Sequence, residues 1–114
     1  MLTMKCELSN KKCVPCEGGV EPMNQDQAEK MLQQITGWEL SANNNAIVRH
    51  FSFKGFYETM GFVNMLAWIA QQEQHHPDVS FTYNTCTITY TTHAIDGLSE
   101  NDFICASKIN DICS

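Results

Sequence analysis

The fold class is decided by the stretch VSFTYNTCTITYTT, which runs from Val79 to Thr92. Apolar and polar side chains alternate in its two halves, residues 79–83 and 86–92, and the dipeptide Asn84-Thr85 forms a short turn between them. Alternation with a period of two is typical of strands that have one buried and one solvated face. The stretch therefore predicts two neighbouring strands of an antiparallel sheet.

A long helix is predicted immediately before this hairpin, from Phe56 to about Gln74. One apolar stripe recurs at helical spacing and consists of Phe56, Met60, Val63, Ala67 and Ala70. A second apolar set widens the stripe and consists of Phe62, Leu66 and Ile69. A helix that is apolar over more than about half of its circumference is buried on two sides. We therefore expect this helix to lie centrally in the domain or to contact a second subunit as well.

Two further strands precede the long helix, at residues 38–42 and 46–53. The turn-forming run Asn43-Asn44-Asn45 separates them, and the second strand is rich in β-branched and aromatic residues. The residues of the second strand that are predicted to face inward are Ile47, Phe51 and Phe53. His50 then lies on the opposite face of the sheet, where a solvated or dimer-facing histidine is expected.

Each end of this pattern carries one more helix. The first begins after the N-cap Asn24 and is expected to end at Gly37. The last begins at Ser99, where Ser99-Glu100-Asn101-Asp102 is a variant of the capping box. The residues predicted to face inward are Ala28, Met31, Leu32 and Ile35 in the first helix, and Phe103, Ala106, Ile109 and Ile112 in the last.

The order of elements is therefore α-β-β-α-β-β-α. Helices placed around two hairpins predict an α+β fold, with a four-stranded antiparallel sheet and helices packed on one face. We expect a single domain at residues 22–114, after an irregular N-terminal leader at residues 1–21.

The composition of the chain restricts its partners. At 114 residues the chain has room for one domain, and 7 Lys and Arg against 13 Asp and Glu give a formal net charge of −6. An acidic chain repels phosphate backbones, so nucleic acid is not an expected partner. Apolar runs are too short for a membrane span, and an apolar signal-peptide segment does not follow Met1. We expect a cytoplasmic protein with reduced thiols and a small, nearly neutral ligand or a protein partner.

The leader contains Cys13-Val14-Pro15-Cys16, a CxxC spacing found in zinc sites and in redox dithiols. Zinc needs four ligands, and the sequence has no second CxxC, so Cys6 or a distant histidine would have to complete a site. A thioredoxin-like dithiol begins a helix after a strand, which the leader does not predict. A structural or incidental role is favoured, and the metal and redox roles stay open.

Three of the four histidines stand at the ends of predicted elements, where binding groups concentrate. His75 and His76 follow the long helix, Pro77 forces His76 into extended backbone, and His93 follows the last strand. If these ends share one edge of the sheet, three imidazoles line one pocket. Helix capping and metal binding are alternatives, although adjacent residues in an extended chain point apart. General acid–base catalysis is favoured, because imidazole titrates near neutral pH.

Four motifs of the sequence resemble the pterin-4a-carbinolamine dehydratases. They are Gln74-His75-His76-Pro77-Asp78, Tyr83-Asn84, Thr91-Thr92-His93 and Gly97-Leu98-Ser99-Glu100-Asn101-Asp102. The resemblance covers about residues 24–112, and the leader resembles extensions of bacterial members. An acid that is common in the family four residues before the first histidine is replaced by Gln71, and Val79 stands in place of a common tryptophan.

The resemblance implies a hydro-lyase that dehydrates 4a-hydroxytetrahydrobiopterin to quinonoid dihydropterin without a metal or cofactor. It implies catalytic roles for His75, His76 and His93, with His75 and His93 as the acid–base pair and His76 orienting the pterin. The supporting acids are expected to be Asp102 and Glu73. The expected substrate-binding residues are His75, His76, Pro77, Thr92, His93, Ala94 and Ile95.

The resemblance also implies partners. It predicts a homodimer or a homotetramer, and a functional link to an aromatic amino acid hydroxylase whose cofactor the reaction would recycle. Animal members of the family also act as dimerisation cofactors of a transcription factor. A non-catalytic protein-binding module that regulates transcription is therefore the alternative function.

Overall fold

The computed structural model describes residues 7–13 and 21–113. Its helices are α1 (Gln25–Leu32), α2 (Phe56–Glu73) and α3 (Glu100–Cys113), and its strands are β1 (Glu39–Leu40), β2 (Ile47–Ser52), β3 (Asp78–Phe81) and β4 (Thr85–Tyr90). Two short 3-10 helices lie at Glu7–Asn10 and His93–Ile95. The predicted α+β fold and the order α-β-β-α-β-β-α are confirmed, with shorter elements than the sequence pattern suggested.

The four strands form one antiparallel sheet in the order β1-β2-β4-β3. The central pair is β2 and β4, where Ile47 lies opposite Tyr90 and Phe51 lies opposite Cys86. On one face of the sheet the side chains of β4 are buried in a core to which all three helices contribute. His50 is exposed on the other face and its Nδ1 lies 2.9 Å from Thr87 Oγ1, which confirms its predicted orientation.

Helix α1 begins where the sequence predicts, but it ends earlier. A reciprocal capping box closes its N-terminus, because Asn24 Oδ1 accepts the Gln27 N–H and Gln27 Oε1 accepts the Asn24 N–H, both at 2.9 Å. The helix ends at Leu32, so the prediction that Gly37 caps it was wrong. Gly37 instead has a φ of 92° in the turn before β1. A Cβ there would lie 2.9 Å from Arg49 Nε, an atom of a long side chain that can shift, so it is the positive φ of the turn that favours glycine.

The buried face of α2 differs from the predicted stripe. Its buried residues are Thr59, Phe62, Leu66, Ile69 and Ala70. Of the predicted stripe only Ala70 is buried, while Phe56 is 52% exposed. The residues thought to widen the stripe are the ones that pack on the sheet, where the Phe62 ring centroid lies 4.5 Å from that of Phe51. In the single chain, α2 therefore buries one side and leaves part of its apolar surface in solvent.

Strand β3 forms an edge of the sheet and is exposed along its whole length. The register places Val79 opposite Ile88 and Phe81 opposite Cys86, so both side chains belong to the face that carries the core. The predicted alternation is therefore correct, but the predicted burial was wrong. Val79 is 39% exposed and Phe81 44% exposed, whereas Ile88 and Cys86 are buried.

Helix α3 and the N-terminal segment pack together. Leu8, in the 3-10 helix Glu7–Asn10, belongs to the buried core, which the expectation of an irregular leader did not anticipate. Lys108 of α3 donates from Nζ to the Ser9 carbonyl at 3.0 Å.

Among the described helices, none is both long enough and apolar enough to cross a membrane.

Two isoleucines of α3 provide a matched test of this packing, because both were predicted to face inward. Ile109 is 0% exposed and Ile112 is 53% exposed, so the prediction for Ile112 was wrong. We predict that Ile109→Ala lowers the free energy of unfolding by about 2–5 kcal/mol, since it leaves a cavity in the core. Ile112→Ala should lower it by less than about 1 kcal/mol. Urea unfolding measures both, and equal losses would contradict the packing described here.

Candidate active site

The end of α2 positions the first two histidines. Gln74 adopts a left-handed conformation with φ 52°, and its N–H and that of His75 both reach the Ala70 carbonyl. His75 and His76 then lie in the connection to β3, which begins at Asp78 directly after Pro77. The helix therefore stops before the histidines, as the restriction that proline places on the preceding residue predicts.

The end of β4 positions the third histidine. Antiparallel pairing of β3 and β4 places Asp78 opposite Thr89, so the start of β3 and the end of β4 share one edge of the sheet. Beyond β4, the Thr92 N–H donates to the Gly97 carbonyl at 2.8 Å, and His93 begins a short 3-10 helix. The helix end and the strand end therefore share one edge of the sheet, which is the condition under which the three imidazoles can line one pocket.

An open cleft of about 380 Å³ lies at this edge, and all three histidines line it. Its lining residues are Cys13, Glu73, Gln74, His75, His76, Thr91, Thr92, His93, Ala94 and Asn101. Of the residues expected to bind substrate, Pro77 and Ile95 lie outside this lining and the others belong to it. Gln71, at the position of the family's acid, is exposed and also outside the lining.

A buried carboxylate supports His75. Asp102 is 0% exposed, and its Oδ1 lies 2.6 Å from His75 Nε2. Its Oδ2 accepts the Thr92 hydroxyl at 2.8 Å and the Ser99 N–H at 3.0 Å. Burying a carboxylate is costly unless donors surround it, and here donors on three segments do so at the positive end of α3. Asp102 therefore holds Nε2 of His75 against the protein and leaves Nδ1 as the other ring nitrogen.

The ring of Tyr90 stacks against the imidazole of His75 and restricts its orientation. The two ring centroids lie 5.5 Å apart with planes inclined by 10°, and Tyr90 is fully buried. Burial raises the pKa of Tyr90 far above its ordinary range, so the phenol is neutral. Sequence reasoning did not identify Tyr90 as part of the site. Its position could have indicated this role, because Tyr90 lies two residues before Thr92 and faces the core at the end of β4.

The other sequence-predicted residues are placed differently. His76 and His93 are exposed, and both line the cleft. Glu73 lines the cleft, but its Oε1 accepts the Cys13 N–H at 2.9 Å and its Oε2 lies 3.6 Å from Lys108 Nζ. Its carboxylate is therefore engaged with the N-terminal segment and α3.

The CxxC of the leader is only partly described. Cys13 lines the cleft, whereas Cys16 and Cys6 lie outside the described residues. Within residues 7–13 and 21–113, three or more His, Cys, Asp or Glu side chains do not converge as a metal site would require. Cys86 and Cys105 are buried, whereas Cys113 is exposed.

The chain is similar to known proteins over nearly its whole length. The model of the family described as pterin 4 alpha carbinolamine dehydratase matches residues 21–112. A protein of Nitrosomonas eutropha, provisionally named a pterin-4-alpha-carbinolamine dehydratase, is 54% identical over 96% of this chain and 96% of its own length. A protein of Legionella pneumophila with the same provisional name is 51% identical over 94% of this chain and 96% of its own.

A solved structure agrees with these sequence matches. It is a protein from Brucella melitensis described as a transcriptional coactivator/pterin dehydratase, and it shares 31% identity with this chain. The superposition covers 82% of this chain and all of the other, with a TM-score of 0.78. With the family model matching residues 21–112, these likenesses show that the chain belongs to the pterin 4 alpha carbinolamine dehydratase family.

Proposed function

We propose that this protein dehydrates a pterin-4a-carbinolamine, with 4a-hydroxytetrahydrobiopterin as the expected substrate, by histidine acid–base catalysis. The observation that carries the proposal is the cleft lined by three imidazoles, one of which is held by a buried carboxylate. Membership of the family supports the same reaction. The product would be a quinonoid dihydropterin and water.

The reaction requires one proton to be given and one to be taken. A protonated imidazole donates to the hydroxyl group on C4a, which leaves as water when the C–O bond breaks. A neutral imidazole accepts the proton of N5, and the electrons of the N–H bond form the C4a=N5 double bond. We assign these two roles to His75 and His93 as a pair. The two transfers need no cofactor, and each is typically worth about 10²- to 10⁴-fold in rate.

Different surroundings give the three histidines different tasks in this proposal. The imidazole of His75 is 13% exposed and is fixed by Asp102 and by Tyr90, which suits a group that must transfer a proton with defined geometry. His93 is exposed and lines the same cleft, where it would reach the substrate from the segment that follows β4. His76, also exposed, would bind and orient the pterin ring, and Thr92 and Ala94 supply further lining.

A non-catalytic protein-binding module is the second candidate function. The description of the Brucella melitensis protein as a transcriptional coactivator/pterin dehydratase favours considering it. The buried Asp102–His75 pair argues for the enzyme, since a docking surface has no need of an oriented imidazole. Absorbance-monitored dehydration of the carbinolamine separates the two functions.

We also infer that the chain assembles as a homodimer or a homotetramer. The core-facing side of β3 is uncovered at Val79 and Phe81, and a second copy that met this edge would cover it. The apolar side chains of α2 that remain exposed, among them Phe56 and Trp68, offer a second contact area. A cytoplasmic location and a link to an aromatic amino acid hydroxylase belong to the same proposal.

The first test of this mechanism removes the histidines one at a time. We predict that His75→Ala and His93→Ala each lower kcat by about 100-fold or more, because each removes one acid or base. His76→Ala should weaken substrate binding more than turnover, and the wild-type rate should be bell-shaped in pH. Turnover is measured by absorbance after subtraction of the uncatalysed rate.

His50→Ala is the control, because His50 lies on the opposite face of the sheet. Its turnover should stay within about twofold of wild type. Near wild-type turnover in both His75→Ala and His93→Ala would refute the assignment of the acid–base pair.

The second test concerns Asp102 as a positioning residue. We predict that Asp102→Asn lowers kcat by at least about tenfold with little change in KM, since an amide can hold the imidazole in the wrong tautomer. The double variant with His75→Ala should be no slower than His75→Ala alone, because Asp102 acts through that ring. Asp26→Asn, which changes an exposed carboxylate on α1 outside the cleft lining, is the control. Fully additive losses in the double variant would show that Asp102 has a separate role.

The third test concerns assembly. Light scattering of the wild-type protein should return at least twice the chain mass of 12.9 kDa. Phe81→Lys places a charge on the uncovered face of β3 and should weaken self-association by about tenfold or more. Ser52→Lys, exposed on the other face of the sheet, should leave it unchanged. A wild-type particle of 12.9 kDa at micromolar concentration would end the assembly proposal.

A further inference from the structure

A pair of thiols lies in contact at the wall of the cleft. The Sγ atoms of Cys13 and Cys105 are 3.5 Å apart, and both cysteines are free. The two residues are separated by 92 positions in sequence, so the fold alone brings them together. Cys105 lies one helical turn after Asp102 on α3. The dehydration proposed above uses neither thiol, and the inference drawn from them does not rest on that reaction.

The surroundings of the pair give its members unequal access to solvent. Cys13 is partly exposed and lines the cleft, whereas Cys105 is 0% exposed. The Cys13 N–H is anchored on Glu73 Oε1 at 2.9 Å, and its Sγ lies 3.5 Å from the Asn101 carbonyl oxygen. These contacts hold Cys13 above the buried thiol. A small oxidant that enters the cleft therefore meets Cys13 first.

We propose that Cys13 and Cys105 are a reversible oxidation site, a dithiol that hydrogen peroxide converts into a disulfide. The sulfur of Cys13 attacks one peroxide oxygen and breaks the O–O bond. It becomes a sulfenic acid, and its thiol proton leaves with the other oxygen as water. The sulfur of Cys105 then displaces the sulfenic hydroxyl, which departs with the Cys105 proton as a second water. Two thiols and one peroxide thus give one disulfide and two waters.

The local structure accounts for the proton and for the small movement that the second step needs. The hydrogen bond with Cys13, together with burial, raises the pKa of the Cys105 thiol, so Cys105 still carries the proton that the leaving hydroxyl requires. The sulfurs must approach from 3.5 Å to about 2.0 Å. The partly exposed N-terminal segment supplies this shift more readily than the buried turn of α3. A reversible bond of this kind is compatible with a compartment that keeps most thiols reduced.

The test counts thiols in the full chain. The protein is reduced, freed of reductant, exposed to one equivalent of hydrogen peroxide, denatured and alkylated with N-ethylmaleimide, and its intact mass is measured. We expect two fewer alkyl groups than the 6 cysteines allow, with full recovery after dithiothreitol. Neither Cys13→Ala nor Cys105→Ala should show the loss of two thiols that is expected of the wild type. Cys16→Ser and Cys113→Ser, the matched controls, should behave as wild type.

Each other outcome overturns the proposal. Retention of all thiols in the wild type would show that the pair does not oxidise. A paired loss that persists in Cys105→Ala would assign the disulfide to another pair, such as Cys13 with Cys16. An added mass of about 32 Da that dithiothreitol does not reverse would mean over-oxidation to a sulfinic acid and no disulfide. Cys13→Ala alters a partly exposed side chain, so it keeps the test valid if Cys105→Ala fails to fold.

Discussion

The arrangement of the site depends on one buried carboxylate. Asp102 is completely enclosed, and its two oxygens take donors from three separate segments: His75 after α2, Thr92 after β4 and Ser99 before α3. An unpaired carboxylate at this depth would be strongly destabilising, so these segments must meet around it if the protein is to fold. The same hydrogen bonds that satisfy Asp102 therefore bring one imidazole to a fixed position in the cleft. Stability and the geometry of the proposed chemistry have one physical origin here.

Local sequence patterns predicted the parts of this structure that local physics determines. Alternation at residues 86–92 located β4, the N-cap Asn24 located the start of α1, and the His-His-Pro run located the end of α2. The end of α1 was missed, because i→i−3 hydrogen bonds at Gln33, Gln34 and Ile35 replace the α-helical pattern after Leu32, before the chain reaches Gly37. The buried face of α2 was also misjudged. Apolar residues lie on more than one side of this helix, and long-range packing, such as that of Phe62 on Phe51 and Phe53, selects which side is buried.

In the site, too, the residues that belong to a local sequence motif were predicted, whereas the contacts between distant residues were not. The three histidines and Asp102 were identified from the sequence because their residue types and spacing resemble a family motif. Tyr90 beneath His75, and the pairing of Glu73 with Cys13 and Lys108, were not, since these contacts join residues far apart in the chain. The short contact between Cys13 and Cys105 belongs to this second class. The CxxC spacing pairs Cys13 with Cys16 in sequence, whereas the fold places Cys105 in contact with Cys13.

In the proposed reaction a pterin occupies the cleft with its reacting atoms between His75 and His93. A crystal structure of the protein with an oxidised pterin, which lacks the C4a hydroxyl group and is not turned over, tests this most directly. We expect a ring in the cleft whose C4a and N5 edge lies within hydrogen-bond reach of both imidazoles, about 2.6–3.2 Å or through one water. A pterin bound elsewhere, or held by His76 with neither His75 nor His93 in reach, would contradict it.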